Sequence, residues 1–202
     1  MSGRGRFFRP RLAFSAGRGA GAAPQDPGAE RDFRETMLPH MDAAYNFARY
    51  LACDPVAAED IVQAAFLRAL RSFDGFRGEA PKAWLFAIVR NCFLDSVKAG
   101  RDTVALDEQG AGEEAGGVDH DTPEAILSRK RDAQRLRETI ESLSEPFREA
   151  IVLRELEELS YREIAMIAGV PIGTVMSRLA RARQMLCELL VPHDEQGRRA
   201  AQ

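Results

Sequence analysis

Cysteine, histidine and aromatic residues are scarce in this 202-residue chain: three Cys, three His, one Trp and 7% aromatics in all. Cys53, Cys92 and Cys187 are odd in number and far apart, which argues against a disulfide framework and fits a reducing compartment, so the cytoplasm is the expected location. Their apolar, helix-like surroundings mark them as buried small thiols. His40, His120 and His193 are equally scattered, and no zinc-ligand spacing can be built from them. No metal ion and no cofactor are expected. Nowhere do 18 apolar residues run together, so no membrane insertion is expected. The sequence also lacks a nucleophile–base pair and a phosphate-binding loop, which speaks against an enzyme and leaves no catalytic residue to assign.

What is present is a helix-forming mixture rich in Ala, Leu, Arg and Glu, 45% hydrophobic and 29% charged. No stretch shows period-2 alternation, so the expected fold is all-α. The net charge of −3 hides an uneven distribution. Residues 1–31 hold six Arg against Asp26 and Glu30, a net of +4. Residues 101–124 hold Arg101 against eight carboxylates, a net of −7. Local patches therefore say more about partners than the whole-chain charge does.

The pattern divides the chain. Residues 1–31 are Gly-, Ala- and Arg-rich with little apolar periodicity and read as a disordered basic tail. An organelle transit peptide is the alternative there. Residues 32–100 form a first helical unit. One stretch runs from Phe33 to Leu51. Asp54-Pro55 opens another, whose inner stripe is Ala58, Ile61, Val62, Ala65, Phe66, Ala69 and Leu70. Residues 72–80 are a loop, and Pro81 opens a third helix with Trp84, Leu85, Ile88, Val89 and Cys92 inside. Residues 101–123 are an acidic linker. Residues 124–192 form a second helical unit, and 193–202 a polar tail.

In the second unit, Ser160-Tyr161-Arg162-Glu163 is a capping box. Ala165 is small where two helices must cross, and Gly169 can take the left-handed conformation that ends a helix. The following helix buries Ile172, Val175, Leu179, Ala182 and Leu186. Its other face presents Thr174, Ser177, Arg178, Arg181 and Arg183. This is the grammar of a helix-turn-helix, whose second helix can enter a major groove. An ordinary helical hairpin with a solvated basic face is the bland alternative.

In the first unit Asp60 and Gln63 are surface neighbours on one helix, a pair that could be merely solvated. Phe73, Phe76 and Trp84 flank a loop that also carries Arg77 and Lys82. Rings interleaved with cations can hold unstacked bases while neutralising phosphate. Phe73 and Trp84 read as core. Phe76, between Gly75 and Arg77, is the ring expected to be exposed.

Taken together, Ala58-Glu59-Asp60-Ile61-Val62-Gln63, Phe76-Arg77-Gly78 and the run Trp84 to Asn91 resemble region 2 of the extracytoplasmic-function sigma factors. Leu153-Arg154-Glu155-Leu156, Leu159 to Ala165 and Gly173 to Arg183 resemble their region 4. The resemblance implies two small helical domains on a flexible linker that bind bacterial core RNA polymerase and promoter DNA and promote melting. By that likeness Asp60 and Gln63 face the clamp helices of the largest polymerase subunit, with the flap region a second contact. Phe76, Arg77, Gly78, Lys82 and Asn91 would serve the −10 element, where a base is flipped. Arg154, Ser177 and Arg181 would contact the −35 element, with Thr174, Arg178 and Arg183 near phosphates. Met176 stands where many members carry Arg or Lys, and Ala180 where some carry an aromatic, so the resemblance leaves the base preference at −35 open. With no sensory domain visible, a separate anti-sigma factor is expected. The elements would lie about 58 Å apart along the duplex, and an extended linker can span ~75–80 Å. The rival is a repressor or activator with an unrelated dimerisation unit and a symmetric operator.

Overall fold

The computed structural model describes residues 27–102 and 123–190. The expectations for residues 1–26, for most of the acidic linker, for His120 and His193, and for the C-terminal tail lie outside them. Among the described residues every regular element is helical.

The first unit comprises α1 (Pro27–Met37), α2 (Met41–Ala52), α3 (Pro55–Ser72) and α4 (Pro81–Asp102). The stretch expected as one helix from Phe33 to Leu51 is two. A 3₁₀ turn at Leu38–His40 separates them, because Pro39 cannot donate the hydrogen bond a continuous helix needs. Residues 27–31, read from the sequence as the end of a tail, are helical, and Arg31–Glu35 and Arg34–Glu30 pairs at four-residue spacing support that turn. Cys53 ends α2 in the left-handed conformation, φ 56°. Asp54 then caps α3 by accepting from the backbone N–H of Val56 and Ala57, as its place before Pro55 predicts. Ala58, Ile61, Ala65 and Ala69 are buried on α3, and the small side chains let α2 and α4 close on it.

The second unit comprises α5 (Pro123–Glu141), α6 (Glu145–Ile151), α7 (Tyr161–Ala168) and α8 (Ile172–Leu190). Ser144 occupies the N-cap of α6 but makes no side-chain cap bond; only its backbone oxygen accepts, from Phe147 and Arg148. The helix begun at Glu145 widens at Val152–Leu156 into a π-helical turn, closed by the Glu157 N–H to Val152 oxygen bond. The inserted residue changes the phase, so Glu157 is buried while Leu156 is exposed. Ser160 and Glu163 form both bonds of the capping box. Gly169 ends α7 at φ 66°. On α8, Val175, Leu179 and Ala182 are buried and Leu186 is partly so, but Ile172, expected inside, is 46% exposed.

The two units share one continuous apolar core, with α2 against α6 and α4 against α7. Of the cysteines, only Cys92 is buried; Cys53 and Cys187 are exposed, contrary to the expectation of three core thiols. Cys53 sits past the last turn of α2, and Cys187 on the outer side of α8.

Candidate nucleic-acid interface

α7 and α8 meet at 101° across Gly169-Val170-Pro171, the angle of a helix-turn-helix. The outward side of α8 carries Met176, Ser177, Ala180, Arg181 and Arg183, all exposed, with Thr174 and Arg178 partly buried. The Ser177 hydroxyl donates to the Thr174 carbonyl at 2.9 Å, a local bond it can exchange for an acceptor in a groove. Arg183 is engaged: it donates to Glu155 Oε1 at 2.7 and 3.1 Å. Hydrogen bonds to Glu155 and Tyr161 hold its guanidinium above the ordinary pKa, so it stays charged throughout. Arg181 has no ion pair among the described residues and is the readiest cation on this face.

Arg154 lies within the π-helical turn, and its placement follows from it. Its Nη1 donates to the Leu159 carbonyl at 2.9 Å, and its guanidinium lies 5.1 Å from the Tyr161 ring centroid. Arg154 thus ties the turn at 157–160 to the start of α7 and presents only part of its surface outward.

In the first unit the loop between α3 and α4 is shaped by rings. Phe33 meets Phe73 edge-on at 5.3 Å, Phe73 stacks on Phe76 at 5.7 Å, and Phe76 reaches Trp84 at 5.2 Å. Phe76 is therefore half-buried between two rings rather than free in the loop, and Phe73 and Trp84 are likewise half-buried rather than core. The signal available in the sequence was the pair of ring neighbours themselves, three residues before and eight after. Next to this ladder, Arg77 and Gly78 are exposed. The backbone has positive φ at Gly78 (77°) and at Ala80 (46°), a conformation that costs a residue with a Cβ about 1–2 kcal/mol. Asn91 is exposed on α4. Lys82 is not free: its Nζ bonds Glu157 Oε2 and the Glu157 carbonyl, each at 2.9 Å, and lies 5.7 Å from the Phe86 ring centroid.

Asp60 and Gln63 stand exposed on α3, next to each other and away from any ion pair among the described residues. The expected sites thus form three surfaces: α8, the loop with α4, and the outer side of α3. Sequence reading missed a set of residues between the units. Arg90 on α4 donates to Glu149 Oε1 on α6, and Arg178 Nη1 stands 3.8 Å from Glu149 Oε2. Burial pushes the Glu149 carboxyl pKa up, more than the Arg90 guanidinium draws it back. Arg148 Nη2 donates to the Leu51 carbonyl at 3.2 Å, across to the end of α2. No local pattern announces contacts between residues so far apart in the chain.

Among the described residues no cluster of His, Cys, Asp or Glu could hold a metal ion, and no single helix is long and apolar enough to cross a membrane.

Comparison with known proteins bears on the same two units. Residues 37–103 match the family model for sigma-70 region 2, and residues 133–186 that for sigma-70 region 4. The chain is 32% identical over 179 residues to the ECF RNA polymerase sigma factor SigE of Mycolicibacterium smegmatis, covering 89% of this chain and 69% of that one. It is 39% identical over 142 residues to the ECF RNA polymerase sigma-E factor of Escherichia coli, covering 66% and 73%. Among solved structures, the sigma factor RpoE in complex with the anti-sigma factor NepR from Bartonella quintana superposes with a TM-score of 0.63 at 34% identity, over 79% of this chain and 97% of that one. The structure of CnrH in complex with the cytosolic domain of CnrY gives 0.55 at 27%, over 80% and 88%. With both halves matched in the same order, and the recognition helix and ring-lined loop in place on them, the chain belongs to the extracytoplasmic-function sigma factors of the sigma-70 superfamily.

Proposed function

We propose that this sigma factor selects promoters by reading with two faces at once while its α3 surface holds the polymerase. The carrying observation is the row of exposed Ser177 and Arg181 on α8, oriented outward by the 101° turn, in the same chain as the exposed Arg77 and Asn91 beside a ladder of rings. Arg181 and Ser177 read base edges of the −35 element, where a bidentate Arg is worth about 1–3 kcal/mol of discrimination. Thr174, Arg178 and Arg183 contact phosphate, and Arg154 sets the register of the α7 N-terminus as well as touching the backbone. With Met176 and Ala180 on the same face, apolar contact with a thymine methyl replaces a longer cation there. Arg77, Lys82 and Asn91 hold the −10 strand, and Phe76 or a neighbouring ring offers the stacking surface for an unpaired base. Asp60 and Gln63 contact the clamp helices of the largest polymerase subunit.

No chemical step is assigned to the chain. Melting is driven by binding: unstacking costs a few kcal/mol per base, against charge-assisted contacts of about 1.5–3 kcal/mol each. Control by an anti-sigma factor is part of this reading, supported by the solved structure of RpoE, whose partner NepR is named as one. So is action in the cytoplasm, where core polymerase is found. Run-off transcription with purified core polymerase over a promoter library tests the proposal. It should yield one pair of hexamers. Start sites identical with and without the chain would refute it.

A further inference from the structure

Arg178 and Arg183 sit on opposite flanks of α8. Five residues apart, they point about 140° from each other around the helix axis. Ser177 and Arg181 lie on the outward arc between them. A helix is roughly 10–12 Å across and a major groove about 12 Å wide, so the flanks of a seated helix face the two phosphate strands. The two flanks are built differently. Arg183 donates from Nε and Nη2 to Glu155 Oε1 at 3.1 and 2.7 Å, across 28 positions of the chain. Tyr161 holds the same guanidinium, and the Arg154 guanidinium lies 5.1 Å from the centroid of that ring. Arg154 is itself tied to the Leu159 carbonyl. Two guanidiniums thus gather around one tyrosine, both fixed by acceptors on the segment that leads into α7. On the other flank Arg178 stands 3.8 Å from Glu149, too far for a hydrogen bond to set its orientation.

Stability alone does not account for the Glu155–Arg183 pair. The two side chains are 47% and 49% exposed, and an ion pair so open to water contributes little to folding. Glu155 lies in the π-helical turn, a conformation frequent at functional sites. Arginine carries five N–H donors in a rigid planar fork, and Glu155 takes two of them. The others point where the pair directs them. A phosphate set in that direction meets a donor whose side-chain freedom is already removed. Where α8 is not seated, a phosphate must instead draw Arg183 away from a carboxylate that repels it. We propose that Glu155 is a positioning residue for promoter recognition: by holding Arg183 it strengthens the grip of α8 on a matched −35 duplex and weakens it on unmatched DNA. The assignment rests on the proposed reading of α8, and adds to it the residue that makes the Arg183 contact selective.

Anisotropy titrations of the holoenzyme over a range of salt test it. One DNA is a promoter selected by run-off transcription, and the other is the same promoter with its −35 hexamer scrambled. Glu155→Ala should weaken binding to the first about three- to tenfold and tighten binding to the second about threefold. On the scrambled DNA the slope of log K against log salt should steepen by about 0.9, the mark of one added phosphate contact. Glu155→Gln, which keeps the shape and loses the charge, should move both affinities in the same two directions by smaller amounts. In an Arg183→Ala background, Glu155→Ala should leave the affinity for the matched promoter within about twofold. Anything other than opposite changes on the two DNAs overturns the assignment, since a displaced helix would lose on both and a relieved repulsion would gain on both. So does a loss on the matched promoter that persists without Arg183. A wild-type holoenzyme that binds the two DNAs alike refutes the promoter reading itself, and the assignment with it.

Discussion

In the first unit Phe47 stacks on Phe86 at 5.0 Å, and a chain of rings runs from Phe66 through Phe33, Phe73 and Phe76 to Trp84. In the second unit the core is branched aliphatic, Ile140, Leu143, Ile151, Leu153, Ile164, Val175 and Leu179, and its surface geometry is set by Arg154, Glu155 and Arg183. The ring-built unit keeps its loop in place by apolar contact, which salt leaves unchanged. The second unit positions its recognition helix partly with ion pairs that salt screens and DNA phosphates can replace. One half is a stiff platform, and the other is a reader whose internal partners are exchangeable.

The largest effect should come from the platform. Phe86→Ala removes a fully buried ring and should cost about 3–5 kcal/mol, seen as a fall in the denaturant midpoint. A smaller loss than that of Leu179→Ala would break the contrast between the units. Arg181→Ala should weaken binding of holoenzyme to the −35 duplex by about 1–3 kcal/mol while leaving the melting temperature unchanged. If melting moves and binding does not, Arg181 belongs to the fold. Ser160→Ala removes the side-chain half of the capping box and should destabilise the second unit by ~1 kcal/mol, with the first unit's exchange protection unaltered.

The smallest effect is a pH slope. Burial, and then the charge of Lys82, hold the His40 imidazole below its ordinary 6.5. The folded chain then binds that proton less tightly than the unfolded chain. The contribution is present above the ordinary value and is lost as pH falls through it toward the lowered one. His40→Gln should flatten the fall in stability between about pH 7 and pH 5; an unchanged slope would remove His40 from the account.

Local chemistry was readable before the structure. Asp54 ahead of Pro55, Ser160 three residues ahead of Glu163, and Gly169 after an apolar turn each act within a few residues of themselves, so the spacing carries the information. Pro39 also carried it, inside a stretch whose apolar spacing suggested one helix. The π-helical turn was not readable, since Val152–Leu156 has ordinary helix-forming composition and the extra residue is accommodated by tertiary packing. Phe76 seemed exposed because its chain neighbours are Gly and Arg, but its position is decided by Phe73 and Trp84. The site surfaces on α3 and α8 follow from helical phase. The partnering of Lys82, Arg90 and Arg178 does not, because it joins residues 29 to 75 positions apart on different helices.

Phe33 bears on how the protein can be cut. Phe33 belongs to the ladder of rings that ends at Trp84, and it lies before residue 37, where the match to the region 2 model begins. A fragment trimmed to the matched segment would keep every proposed contact residue of the first unit yet remove the buttress under the loop that bears Arg77. Weak promoter opening by such a fragment would then report a missing support several helical turns upstream, and shortened expression clones should retain α1 from Pro27.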